Sequence, residues 1–141
     1  MKKLAVVYWT GTGNTENMAN AIIEGANSLG TENDLYFSDD FNPDMIDDYE
    51  VIAFGCPAMG DEELEDSFEE LFESCEDKLP NKKVALFGSY EWNNGEWMEE
   101  WTERTKALGA ILVTDSLAVY DDPSDEDLEK CKDFGIACAN A

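Results

Sequence analysis

The sequence predicts an α/β fold, an open parallel sheet covered by helices on both faces. Short apolar runs alternate along the chain with amphipathic helical patterns. The 141 residues suffice for one compact domain but not for an α/β barrel, which needs about 250. We therefore expect a single domain over residues 1–141.

Five segments have the pattern of strands. Residues 3–8 (KLAVVY), 49–55 (YEVIAFG) and 83–88 (KVALFG) are apolar, as is typical of buried parallel strands. A weaker strand is predicted over 34–37, and a continuous fifth strand over about 110–120. Open α/β sheets bind ligands beyond the carboxyl ends of their strands, so a site is expected in the loops that follow the three strongest strands.

Helical patterns separate the strands. Four helices are predicted, over 15–29, 62–77, 95–108 and 124–139. Gly30 and Gly109 stand where helices commonly end. Trp97 and Trp101, four positions apart, predict a packed face on the third helix.

Composition narrows the range of functions. The chain has 33 acidic residues against 9 Lys and Arg, a formal net charge of −24, so its average surface repels nucleic acid and anionic membranes. Without histidine, a Ser-His-Asp triad, a His-ligated metal and an imidazole base are excluded. No signal peptide and no apolar run of roughly 20 residues is present, so we expect a cytoplasmic protein. The cysteines form no CxxC pair and are interpreted as reduced core thiols: Cys56, Cys75, Cys131 and Cys138.

The first loop, residues 9–15 (WTGTGNT), places glycines and hydroxyl groups directly before a predicted helix, a pattern typical of phosphate sites. Glu16 stands where a dinucleotide fingerprint has its third glycine, and the lysine of a P-loop is missing. The loop therefore favours one terminal phosphate; the alternative is a Gly-rich turn with a threonine cap. The hydroxyls expected at the phosphate belong to Thr10, Thr12 and Thr15.

The next two loops have a different character. Residues 55–62 (GCPAMGDE) run from apolar to acidic and include Gly60, which can adopt a positive φ. Residues 88–95 (GSYEWNNG) are predicted to expose Tyr90 and Trp92. Aromatic rings exposed beside a phosphate site favour a flat ligand.

Together the loops resemble those of the short-chain flavodoxins of anaerobic bacteria. The resemblance rests on YWTGTGNT at 8–15, GCPAMGDE at 55–62 and LFGSY at 86–90 with Trp92, and it spans nearly the whole chain. The uninterrupted fifth strand favours the short-chain class. The resemblance implies a flavodoxin-like five-stranded sheet of order 2-1-3-4-5, a non-covalently bound FMN and an electron carrier without a substrate of its own, hence not an enzyme.

The resemblance also implies the cofactor site. The flavin ring would lie between Met59 and Trp92. Trp9 would line its edge, Glu62 would accept a hydrogen bond from flavin N3–H, and Ser89 would add a hydroxyl to the phosphate site. No catalytic residue or metal ligand is expected, and the cofactor-binding set is Trp9, Thr10, Gly11, Thr12, Gly13, Asn14, Thr15, Pro57, Ala58, Met59, Gly60, Asp61, Glu62, Ser89, Tyr90, Glu91 and Trp92.

Two places depart from the family pattern. Glu91 and Asn93 flank Trp92 where relatives commonly have glycines. Pro57 stands where some relatives have a serine that contacts the phosphate. These residues affect the backbone path of the loop at the flavin and the redox potentials. Binding of FMN is still expected.

The resemblance and the acidic charge together predict low-potential cycling, mainly between semiquinone and hydroquinone, since nearby carboxylates disfavour an anionic reduced ring. The resemblance implies that the Gly60–Asp61 peptide flips on one-electron reduction, so that the Gly60 carbonyl accepts a hydrogen bond from flavin N5–H. Gly60→Ala should destabilise the semiquinone by roughly 1 kcal/mol or more. An unchanged semiquinone yield in a redox titration would contradict this.

The acidic surface predicts basic-surfaced redox donor and acceptor proteins, such as ferredoxin-type partners, for a monomeric carrier. The main alternative is an FMN-dependent oxidoreductase that acts on a small molecule or quinone. A phosphoacceptor signalling module would need acidic residues where Trp9, Thr10, Gly55 and Cys56 stand. An iron–sulfur carrier would need another cysteine spacing.

Overall fold

The computed structural model describes residues 1–59, 63–91 and 95–141. The described strands are β1 Lys2–Tyr8, β2 Asn33–Phe37, β3 Tyr49–Gly55, β4 Lys83–Tyr90, β5 Ile111–Leu112 and β6 Leu117–Tyr120. The described α-helices are α1 Asn14–Asn27, α2 Asp66–Cys75, α3 Glu96–Ala107 and α4 Asp125–Asn140. Short 3₁₀ turns occupy Ser38–Asp40, Pro43–Asp48 and Glu76–Lys78.

The strands form one parallel sheet of order β2-β1-β3-β4, with β5 and β6 both alongside β4. This confirms the predicted order 2-1-3-4-5. The prediction of a continuous fifth strand over 110–120 was wrong, because β5 pairs with the start of β4 and β6 with its end. Between them the polar residues 114–116 leave the sheet, and Ser116 Oγ shares a hydrogen bond of 2.7 Å with Thr102 Oγ1 of α3.

The helices follow the prediction except at the start of α2, which begins at Asp66 rather than residue 62. The Glu65 side chain accepts a hydrogen bond from Phe68 N–H at 2.9 Å and so caps α2. Before this cap, Met59 and Glu63 exchange two backbone hydrogen bonds of 2.8 and 2.9 Å and so form an isolated bridge. No helix in the described part of the chain has both the length and the apolar character needed to cross a bilayer.

Two apolar clusters fill the space between the sheet and its helices, one on each face. On the α2 and α3 face, Phe54 packs edge-to-face against Phe68 and Phe72. Trp97 and Trp101 are 2% and 3% exposed, which confirms the packed face predicted for the third helix. All four cysteines are buried and free, as predicted.

On the opposite face α1 and α4 meet backbone to backbone. A Cβ on Gly25 would lie 2.1 Å from the Lys132 carbonyl oxygen, and one on Gly135 would lie 2.0 Å from that of Ile22. Real side chains do not reach such distances, so both positions need glycine for this contact. The contact fixes α1, the helix that follows the glycine-rich loop, against α4.

Candidate functional site

The loops that follow β1, β3 and β4 lie side by side at the carboxyl edge of the sheet. Trp9 N–H donates to the Gly55 carbonyl at 3.0 Å, and Ala58 N–H donates to the Ser89 carbonyl at 2.9 Å. The pairing of the strands thus continues into the loops and brings the predicted site residues together.

A cavity of about 260 Å³ lies among these loops. Every described residue that lines it belongs to the set predicted from the sequence. The lining residues are Trp9, Gly11, Thr12, Asn14, Pro57, Ala58, Met59, Ser89, Tyr90 and Glu91. Thr10, Gly13 and Thr15 are not among the described lining residues, but they bond within or beside the same loops.

The loop before α1 has the features of an anion site. Gly13 has φ 98° and directly precedes α1, and no described side chain caps this helix. The first N–H groups of a helix have no partner within it, so they remain available for an anion. Gly13 N–H donates to Thr10 Oγ1 at 3.0 Å, which closes the turn and leaves the Thr10 hydroxyl proton for a ligand.

A buried pair of hydroxyl groups supports the same loop. Thr15 Oγ1 and Ser89 Oγ lie 3.0 Å apart, and both residues are buried. One of the two protons forms this bond, so the pair keeps a second proton that it can donate. The bond also connects the first turn of α1 to the end of β4.

The other side of the cavity is formed by larger side chains. Met59 is 40% exposed at its rim. Tyr90 is half-buried at the end of β4, with its ring 5.6 Å from that of Trp97 and 5.5 Å from that of Tyr120. The prediction that Tyr90 is exposed on a loop was therefore wrong, because two rings from later in the chain pack against it.

Four of the predicted cofactor residues lie outside the described residues: Gly60, Asp61, Glu62 and Trp92. The stacking of a ring on Trp92, the hydrogen bond of Glu62 and the peptide flip at Gly60 stay predictions.

Two features of the site were missed in the sequence. Tyr120, at the end of β6, contacts Tyr90, and its position at a strand end is the one sequence feature that points to the carboxyl edge. Cys56 Sγ accepts a hydrogen bond from Glu65 N–H at 3.4 Å and so joins the two ends of the loop after β3. Burial raises the pKa of the Cys56 thiol well above its usual value, so this thiol is not a reactive nucleophile.

Charge distinguishes this cavity from a neighbouring groove of about 310 Å³ between α2 and α3. The groove is lined by four carboxylates and one cation, those of Glu63, Asp66, Glu69, Glu100 and Arg104. Such a surface repels a phosphate. The cavity at the carboxyl edge has a single described carboxylate, Glu91, and no Lys or Arg among its described lining residues. An anion there is held by amide and hydroxyl groups.

Comparison with known proteins gives one consistent result. A sequence model of the family described as flavodoxin matches residues 6–135. The flavodoxin of Megasphaera elsdenii is 45% identical over 137 residues, which cover 96% of this chain and 98% of that protein. The flavodoxin of Clostridium beijerinckii is 42% identical over 138 residues, covering 97% and 99%.

Solved structures agree. The solution structure of two-electron reduced Megasphaera elsdenii flavodoxin has a TM-score of 0.89 and 44% identity, covering 98% of this chain and 99% of that one. A flavodoxin from the domain Archaea has a TM-score of 0.88 and 31% identity, covering 98% and 96%. Each likeness spans nearly the full length of both chains.

Proposed function

The chain belongs to the flavodoxin family, and we propose that it holds FMN in the cavity at the carboxyl edge and works at low potential, between the one-electron and two-electron reduced states. Flavodoxins bind FMN and carry electrons between redox partners rather than act as enzymes, and this chain does the same. We further propose that residues 1–141 form one FMN-binding domain.

The observation that carries the assignment of the site is the uncapped start of α1 beside a cavity whose described lining has no cation. The residues present fit the FMN phosphate. The N–H groups that follow Gly13 are at the start of α1, where they can donate to an anion, and the Thr10 hydroxyl keeps a proton that it can donate as well. The Thr15 and Ser89 hydroxyls supply a further donor. We propose that Thr12 and Asn14, which line the cavity, contact the phosphate as well.

The wider side of the cavity suits a flat ring. Met59, Tyr90 and Trp9 present apolar surface there. Bound FMN supplies one-electron and two-electron chemistry at this position. The chain contributes acidic residues, Glu91 in the lining and Glu63 at the end of the adjacent loop, which disfavour added negative charge on the ring. This charge supports the proposal of a low potential.

The net charge of −24 supports basic-surfaced donor and acceptor proteins, including ferredoxin-type partners, as the proteins that exchange electrons with this chain. We place the monomeric carrier in the cytoplasm, where the four free thiols stay reduced. The rate of electron transfer to a basic partner should fall as salt is added, because screening weakens the attraction. A rate independent of ionic strength would contradict this proposal.

Anaerobic titration with dithionite, followed by visible absorption, tests the function. The expected result is a yellow FMN-loaded protein that passes through a distinct coloured one-electron stage before it bleaches. A protein that bleaches in one two-electron step and oxidises a nicotinamide donor directly would favour the alternative, an FMN-dependent oxidoreductase. Failure to bind added FMN would contradict both.

A further inference from the structure

Two of the three loops around the cavity lead directly into helices that share a charged contact. Met59 lines the cavity, and α2 starts at Asp66 a few residues later. Glu91 lines the cavity, and α3 starts at Glu96. Met59 pairs with Glu63 just before α2, and the Tyr90 ring packs on Trp97 of α3, so the spacing of α2 and α3 bears on the separation of two cavity walls.

Arg104, the only arginine in the chain, joins these two helices. Its Nη1 and Nη2 donate to the two carboxylate oxygens of Glu69 at 2.7 Å each, and its Nε donates to Glu76 at 3.3 Å. The guanidinium lies 4.9 Å from the ring centre of Phe72. This geometry is bidentate and supported from three sides, unlike the exposed ion pairs that add little stability.

Aromatic contacts connect this ion pair to the cavity. Trp101, one turn before Arg104 on α3, packs edge-to-face on Phe68 and Phe72 of α2, with centroids 5.7 Å apart in both pairs. One further turn back, the Trp97 ring lies 5.6 Å from that of Tyr90, which lines the cavity. Because closely packed rings leave little free volume between them, we expect a displacement of α3 to move Tyr90 through Trp97.

We propose that Arg104 is a positioning residue, which through Glu69 sets the separation between the Met59 wall and the Tyr90 wall of the cavity. The proposal rests on the proposed FMN site, because that separation determines how well a flat ring fits. Arg104 does not line the cavity, so it acts through α2 and α3. Lysine at this position keeps the charge but not the planar pair of donors that matches a carboxylate.

The test compares Arg104→Gln with a control that removes the same charge elsewhere. Lys78→Gln breaks an exposed pair, Lys78 with Asp47 at 2.9 Å, and Lys78 neither bonds Arg104 nor is among the described lining residues of the cavity. In amide NMR spectra of the apoprotein, the signals of Met59, Tyr90 and Trp97 should shift in Arg104→Gln and stay in place in Lys78→Gln. FMN binding should weaken about fivefold in Arg104→Gln and remain within twofold in the control.

Further variants separate positioning from stability. Arg104→Lys should recover part of the lost affinity, and Glu69→Gln combined with Arg104→Gln should bind FMN no more weakly than Arg104→Gln alone. A role limited to stability would lower the urea midpoint while the amide signals and the FMN affinity stay unchanged, and this result would overturn the proposal. If Arg104→Gln does not fold, Arg104→Lys and Glu69→Gln provide both measurements. If the wild-type chain binds no FMN, the proposed function fails, whereas the apoprotein spectra still decide whether Arg104 moves the cavity walls.

Discussion

The two ends of the sheet use their polar side chains in opposite ways. At the amino end, Lys2, Asp34 and Tyr49 bond to one another, and the hydroxyl of Tyr36, from further along β2, joins them. Lys2 Nζ donates to Asp34 Oδ2 at 2.8 Å, Tyr49 OH donates to the same carboxylate, and the hydroxyls of Tyr36 and Tyr49 share a further bond. At the carboxyl end, Thr10 and the start of α1 keep donors that no described side chain accepts.

The pKa values of Asp34 and Tyr49 at the amino end reflect the hydrogen bonds that these groups make within the protein. The hydrogen bonds from Lys2 and Tyr49 lower the pKa of Asp34. Burial, together with the Asp34 hydrogen bond, raises the pKa of Tyr49. Groups whose bonds are complete within the protein stabilise the fold, whereas groups with bonds left to make can bind a ligand. Substitutions at the amino end should change stability, and those at the carboxyl end should change affinity for FMN.

Gly13→Ala gives the largest expected effect. Gly13 has φ 98°, and a Cβ there meets nothing within 4 Å, so the cost is one of backbone conformation. A residue with a Cβ costs about 1–2 kcal/mol in this region, equal to a factor of about 5–30. The apoprotein can relax the loop, while the FMN-bound form cannot, so FMN binding should weaken by about that factor in a fluorescence titration.

Gly30→Ala is the matched control. Gly30, three residues beyond the end of α1, has φ 77° and equally open space, so alanine should strain the backbone there by a similar amount and leave the FMN affinity unchanged. Equal loss of FMN affinity in both variants would show that backbone strain at either end of α1 weakens binding. The effect of Gly13→Ala would then not be specific to the anion site.

Tyr49→Phe probes the amino end. It deletes a buried hydroxyl that bonds both Asp34 and Tyr36, so the free energy of unfolding should fall by about 1 kcal/mol in urea. Tyr36→Phe removes only the bond between the phenols and should cost less. Both variants should bind FMN as the wild type does; weaker binding would show that the two ends are coupled.

Ser89→Ala has a smaller effect, at the carboxyl end. It removes the Ser89 hydroxyl, so that the Thr15 hydroxyl loses this partner and is the one member of the pair left to bond the phosphate. FMN affinity should fall about threefold, since one neutral hydrogen bond contributes on the order of 0.5–1.5 kcal/mol. Thr15→Val combined with Ser89→Ala should lose less than the sum of the single losses, as measured by titration of all three variants. Strictly additive losses would contradict a shared role.

Asp34→Asn gives the smallest expected effect, and it depends on pH. Because the folded-state pKa of Asp34 is lowered, its stabilising contribution is complete above the unfolded value of about 3.9 and is lost as pH falls through the folded value. The urea midpoints of wild type and Asp34→Asn should differ at pH 6 and converge in strong acid. If the urea midpoints still differ in strong acid, Asp34 stabilises the fold through packing and not through its charge.

Most of the fold and of the candidate site could be predicted because the determinants are local. The apolar runs of β1, β3 and β4 and the glycines before α1 are contiguous in sequence, and the strand-end rule places their loops together. The wrong predictions concern features that depend on contacts with residues outside the predicted element. Residues 63–65 (ELE) are helix-compatible, yet they precede α2, and Glu63 pairs with Met59 in an isolated bridge.

Two further differences have the same cause. The strand between residues 110 and 120 is interrupted where Ser116 shares a hydrogen bond with Thr102 of α3. The apolar character of this segment gives no sign of that bond. The burial of Tyr90 depends on Trp97 and Tyr120, and the latter lies 30 positions away. Contacts between elements far apart in the chain cannot be obtained from the periodicity of either one.

The glycine contact between α1 and α4 also sets an order of events during synthesis. α1, whose first turn begins the anion site, packs through Gly25 on Lys132, a residue of the helix that follows all the other described elements. On the ribosome, residues near the start of a chain emerge long before residues 125–140. The helix at the anion site therefore lacks its packing partner until α4 has been made, and we expect capture of the cofactor to follow the synthesis of α4.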